Sequence, residues 1–137
     1  MAPSPKGDVF ADEPWLSIQG DRQSHCIYAE WKGFANSAEF RASTMRILEA
    51  IRAIGAASLV TDNRRLEGVT DQDQLWIRDT WAPTAVGSGL TRIAVILPQR
   101  GLGKIASEQI LRQDGMKAFS TRTFTTVSEA MEWAAEG

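Results

Sequence analysis

Two short apolar runs without alternation, Ser58-Leu59-Val60-Thr61 and Ile93-Ala94-Val95-Ile96-Leu97, constrain the fold more than any other part of the chain. A strand with one wet face shows a period of two, whereas a strand covered on both faces reads as a continuous apolar run. Asp62 ends the first run and Pro98 the second, and a segment with helical spacing lies between them. Strands alternating with helices give an open α/β architecture, a mostly parallel sheet whose right-handed crossovers place helices on its faces. Sites in such sheets form outside the carboxyl ends of the strands. That position directs attention to Asp62, Asn63, Arg64 and Arg65 after the first strand, and to Gln99 and Arg100 after the second.

The flanking segments agree. Phe40, Thr44, Ile47, Leu48 and Ile51 share one stripe at about 100° per residue, which predicts an amphipathic helix from Ala38 to Ile54. An Asn36–Glu39 capping box opens it and a left-handed Gly55 closes it. Upstream, Trp15–Gln19 and Cys26–Trp31 flank the turn-forming Gly20–Ser24 and predict an N-terminal β-hairpin, the second strand having one wet face. Downstream, Thr70 and Asp73 have capping-box spacing for a helix from Asp71 to about Trp81, stopped near Pro83. A helix over Lys104–Arg112, a short strand near Ala118–Thr123 and a helix from Thr126–Glu129 to about Glu136 complete an order of ββαβαβαβα. Residues 1–8, with Pro3, Pro5 and Gly7, read as a flexible tail, and 9–137 as a single domain.

Composition narrows the function classes. A net charge of -2 supplies no field for nucleic acid or an anionic membrane surface. No apolar stretch approaches the roughly 20 residues that a membrane-spanning helix needs, so no membrane insertion is expected. The single Cys26 cannot form an internal disulfide, and the amino terminus has no apolar run resembling a signal peptide; a cytoplasmic location is expected. His25 is the only histidine, and as a strand neighbour of Cys26 it points to the opposite face, away from a nucleophile pair. Gly101-Leu102-Gly103-Lys104 lacks phosphate-loop spacing, and Asp71, Asp73 and Asp79 lack the glycine and glutamate of a calcium loop. No catalytic constellation, metal site or cofactor is therefore expected, and the chain does not read as an enzyme.

The element order and the spacing from Asp62 through Asp73 resemble the STAS domain, the fold of bacterial anti-sigma-factor antagonists, and its SEC14-like relatives. In that pattern a buried strand ends in an acid, a loop with two apolar anchors follows, and a serine is phosphorylated where the next helix begins. Asp62 matches the acid, Leu66 and Val69 match the anchors, and Asp71 stands where the serine would be. Tyr28–Gly33, Trp76–Pro83 and Glu129–Trp133 are similar to a group of small bacterial STAS-like proteins. The resemblance implies a regulatory domain that contacts a protein partner, with Asp71 either imitating a phosphoserine or simply stabilising the helix start.

On a regular helix, Trp81 lies about 40° from Ile77 and Trp76 about 140° from Trp81, so one sheet face cannot bury them all. Either residues 82–90 or the hairpin cover the remainder, or Trp76 and Trp81 form a homodimer surface or an apolar pocket. Two functions follow: a non-enzymatic interaction domain, homodimeric through residues 71–81 and the neighbouring loops, or a binder of an apolar or acyl ligand whose anionic head meets Arg64 or Arg65.

Overall fold

The computed structural model describes residues 8–136. It is an α/β fold built on one mixed sheet of six strands in the order β1-β2-β3-β4-β5-β6. Strands β1 (Asp8–Glu13), β2 (Leu16–Asp21) and β3 (Cys26–Trp31) form an antiparallel meander. From β3 onward, β4 (Ser58–Asp62), β5 (Arg92–Ile96) and β6 (Ser120–Phe124) are parallel neighbours in register. Residues 1–7 of the expected tail lie outside the described residues, but Asp8 already belongs to β1. Its acidic Asp8-Val9-Phe10-Ala11-Asp12-Glu13 and the register shift between Val9 and Ala11 conceal this edge strand from a pattern search.

The sequential parallel order puts all the crossover helices on one face. Helix α1 (Ser37–Ile54) has the Asn36–Glu39 capping box, and Gly55 adopts φ 62°, the left-handed closure that the sequence indicates. Leu16, Ile18, Ile27, Leu59, Ile93 and Val95 form the sheet side of the main core beneath it. Among the described residues the opposite face has one helix, α5 (Val127–Ala135), whose Ala130 and Ala134 pack on Tyr28, Val60, Ala94 and Ile96. Small residues let α5 lie close to the strands. Because α5 covers Tyr28, β3 has no wet face, and the expectation of one is corrected.

The helix after β4 does not stop at Pro83. It runs as α2 (Asp71–Trp76), a π-helical turn (Ile77–Trp81) and α3 (Ala82–Gly87). The Ala82 N–H donates to the Ile77 carbonyl five residues back. A turn closed by such bonds holds one residue more than an α turn, so the helix passes into Pro83 at the start of a fresh α segment, where the missing N–H is tolerated. Helix α4 (Leu102–Leu111) and a 3₁₀ turn (Asp114–Ala118) lead into β6.

Candidate functional site

Strand alternation sends Tyr28, Asp62, Arg122 and Phe124 toward the α5 face. Near the carboxyl ends of β5 and β6, an open cleft of about 980 Å³ is lined by Arg64, Arg100, Lys104 and Arg122, by Leu97, Pro98 and Phe124, and by one carboxylate, Glu129. The parallel strands bring these together from four separate segments. Among the described residues, Arg100, Lys104 and Arg122 have no carboxylate within ion-pair distance. The Arg122 guanidinium lies 5.5 Å from the Phe124 ring centre, an arrangement that orients the cation beside the apolar wall. Helix α4 starts at this rim with no side chain capping its first turn, so its unpaired N–H groups add positive potential.

Asp62 holds Arg64, one of the residues lining the cleft. Its buried carboxylate accepts from the Tyr28 hydroxyl at 2.7 Å, from Arg64 Nε at 2.9 Å, from Arg64 Nη2 at 2.6 Å and from the Arg64 backbone N–H at 3.2 Å. Burial alone would raise the Asp62 carboxyl; together the Arg64 and Tyr28 donors outweigh it and hold the group below the usual carboxylate range. Burial, and then the bond to Asp62, pushes the Tyr28 phenol up, so it remains a donor. Arg64 is thus fixed in direction, with half its side chain exposed toward the cleft.

Of the residues singled out from sequence, Arg64, Gln99 and Arg100 meet at this cleft, with Asp62 beneath them. The others do not. Arg65 points away and lies 3.9 Å from Glu30. Asp71 is exposed in the first turn of α2, on a different groove that it shares with Phe34, Leu102 and Ile105. Trp81 is buried at 5% exposure and its indole N–H donates to the Thr44 carbonyl at 2.8 Å. Trp76 is half-buried under the Arg41 guanidinium, 5.6 Å from the ring centre. Trp81 therefore belongs to the monomer's own packing, whereas Trp76 keeps a partly exposed face beside Arg41. Asp73 does not close a capping box: Thr70 caps its N–H, while its carboxylate accepts from Ser37 at 2.6 Å and Arg41 at 2.8 Å, joining the starts of α1 and α2.

Lys104, Arg122 and Phe124 complete the cleft and are absent from the sequence-based set. Exposed His25 lies at the amino end of β3, the opposite end of the sheet from the cleft. Burial pushes the Cys26 thiol up to about 12, with Asp21 adding to the rise, so it is held as an unreactive thiol. Among the described residues no His, Cys, Asp and Glu cluster is arranged to hold a metal ion, and no helix is long and apolar enough to cross a membrane. Comparison with protein-family models, curated proteins and solved structures gives no match to this chain.

Proposed function

We propose that the chain is a STAS-like binding domain that takes a small ligand with an anionic head and an apolar body in the cleft at the ends of β5 and β6, without catalysis. One observation carries this: Arg100, Lys104 and Arg122 converge on a cleft that also presents Leu97, Pro98 and Phe124, and none of the three has a carboxylate within ion-pair distance among the described residues. Like charges brought together without partners repel, and an anion removes that penalty by accepting from several of them at once. Arg64 differs because Asp62 already neutralises it; it orients the ligand more than it attracts it. Leu97, Pro98 and Phe124 suit an apolar body. The parallel β3–β6 order, with Asp62 ending a buried strand, supports the STAS-like part of the reading.

The test is titration calorimetry with phenyl phosphate and with inorganic phosphate at low and high salt. Phenyl phosphate should bind more tightly than phosphate, weaken with salt, and lose at least tenfold in affinity in Lys104→Glu/Arg122→Glu. Absent heat with both probes, or binding indifferent to the double reversal, refutes the reading.

A second reading, a surface for a regulatory protein partner or a second copy of the chain, is favoured by the other groove. There Phe34 and Leu102 are 68% and 71% exposed beside Asp71, an apolar patch of the kind that marks contact surfaces. Under this reading Leu102→Glu lowers the oligomer mass measured by light scattering; an unchanged monomer mass in both proteins removes the homodimer.

A further inference from the structure

The core face of the sheet does not close completely. Between β4 and β5 below, and α1, the π turn and α4 above, lies a cavity of about 90 Å³. That is several times the roughly 10–15 Å³ a single water needs. Its wall includes Leu59, Val95, Ile47, Ile77 and Trp81, none of them more than 5% exposed.

The polar side chains on the wall are occupied with each other. Thr61 Oγ1 donates to Asn63 Oδ1 at 2.6 Å, Asn63 Nδ2 donates to Ser107 Oγ at 2.9 Å, and Ser107 Oγ donates to the Gly103 carbonyl at 2.7 Å. Thr44 Oγ1 donates to the Arg41 carbonyl at 2.8 Å. Every hydroxyl hydrogen on this wall is committed, so a water would find partners only in the second Asn63 N–H and the hydroxyl lone pairs, the rest of the lining being apolar. An engineered apolar cavity of about 150 Å³ stays dry and takes up benzene or xenon; at about 90 Å³ this one is smaller and sets benzene as the upper limit for a guest.

The wall carries a second sign. Ile77 and Trp81 are the two ends of the π turn, and such turns interrupt α-helices frequently at functional positions. Native interiors are close-packed, and a void this size leaves its lining without dispersion partners that an apolar guest restores.

We infer that this cavity is a binding site for a small apolar molecule no larger than a benzene ring. It is separate from the anion cleft. Thr61 and Val95 face the main core, whereas Asp62 and Arg122 face α5, so the sheet divides the two sites. The inference therefore stands or falls apart from the anion reading.

The probe is benzene, added to the full chain and followed by methyl NMR and thermal unfolding. Saturable shifts at the Leu59, Ile77 and Val95 methyls and a raised Tm are expected. Val95→Phe fills the space with a ring and should weaken benzene binding at least tenfold, with phenyl phosphate binding unchanged. If that variant does not fold, Val95→Ile provides the same comparison with a smaller loss. Non-saturable shifts in the native chain, or benzene binding unchanged in a folded Val95 variant, overturn the inference.

Discussion

Replacing Asp62 with asparagine tests the framework that holds the cleft. Asp62→Asn keeps the volume and one acceptor oxygen but turns an –NH₂ toward either the Tyr28 hydroxyl or the Arg64 fork, both donors in the native chain. Breaking a fully buried charge pair costs about 3–5 kcal/mol, but the Arg64 side chain is 46% exposed and recovers water. The expected loss is therefore about 2–3 kcal/mol at neutral pH. For a domain of this size that corresponds to a fall in Tm of roughly 6–15 °C. The pH dependence fixes the cause. The native Asp62 pKa is depressed, so its contribution is complete above the unfolded value of about 3.9 and disappears as pH falls through the lower folded value. Urea unfolding of both proteins from pH 7 to 2 should show the difference narrowing only below about pH 4. Asp73 titrates equally in both and cancels. A difference under about 0.5 kcal/mol at pH 7, within the range of ordinary surface substitutions, or one that is constant down to pH 2, would refute the role given to the Asp62 carboxylate.

Gly103→Ala drives a methyl carbon into the Leu66 carbonyl oxygen, so α4 must move away from the loop after β4; a loss of about 1–3 kcal/mol in chemical denaturation is expected. Trp81→Ala removes a buried indole and its bond to Thr44, and should cost about 3–5 kcal/mol without altering oligomer mass; a changed mass with unchanged stability would put Trp81 at an interface. The Cys26 thiol, raised by burial, should react with a thiol reagent only as fast as the protein opens, and at the free-thiol rate in urea.

The fold was legible where local rules and tertiary context agree. The unalternating runs of β4 and β5, the Asn36–Glu39 box and left-handed Gly55 each follow from one stretch of sequence. Where the two conflict, the sequence misleads. Pro83 announces a helix end, yet the π turn before it supplies the extra residue that lets the helix continue to Gly87. The same turn resolves the angular scatter of Trp76, Ile77 and Trp81, because residues five apart approach one face when the turn holds an extra residue. Tyr28 likewise reads as the wet side of a strand because its cover, α5, arrives about 100 residues later.

The site was legible only in part for a related reason. Asp62, Arg64, Gln99 and Arg100 follow strands that are obvious from their apolar runs, and the position rule for parallel sheets finds them. Arg122 sits inside β6, whose Ser-Thr-Arg-Thr-Phe is almost wholly exposed at the sheet edge and has no apolar pattern to reveal its register. Once β6 is paired to β5, with Ala94 opposite Arg122, the face becomes determinate: Ala94 lies under α5, so Arg122 must point to the same side as Asp62. Lys104 is fixed by a different contact, the packing of Gly103 on the Leu66 carbonyl, which draws the first turn of α4 down to the end of β4. That contact carries a consequence for binding. If Gly103→Ala lifts α4, Lys104 moves with it while Arg122, held on the sheet, stays. Phenyl phosphate affinity should then fall about as far as in Lys104→Ala and less than in the double reversal, whereas equal binding by the wild type and a folded Gly103→Ala would detach Lys104 from the site.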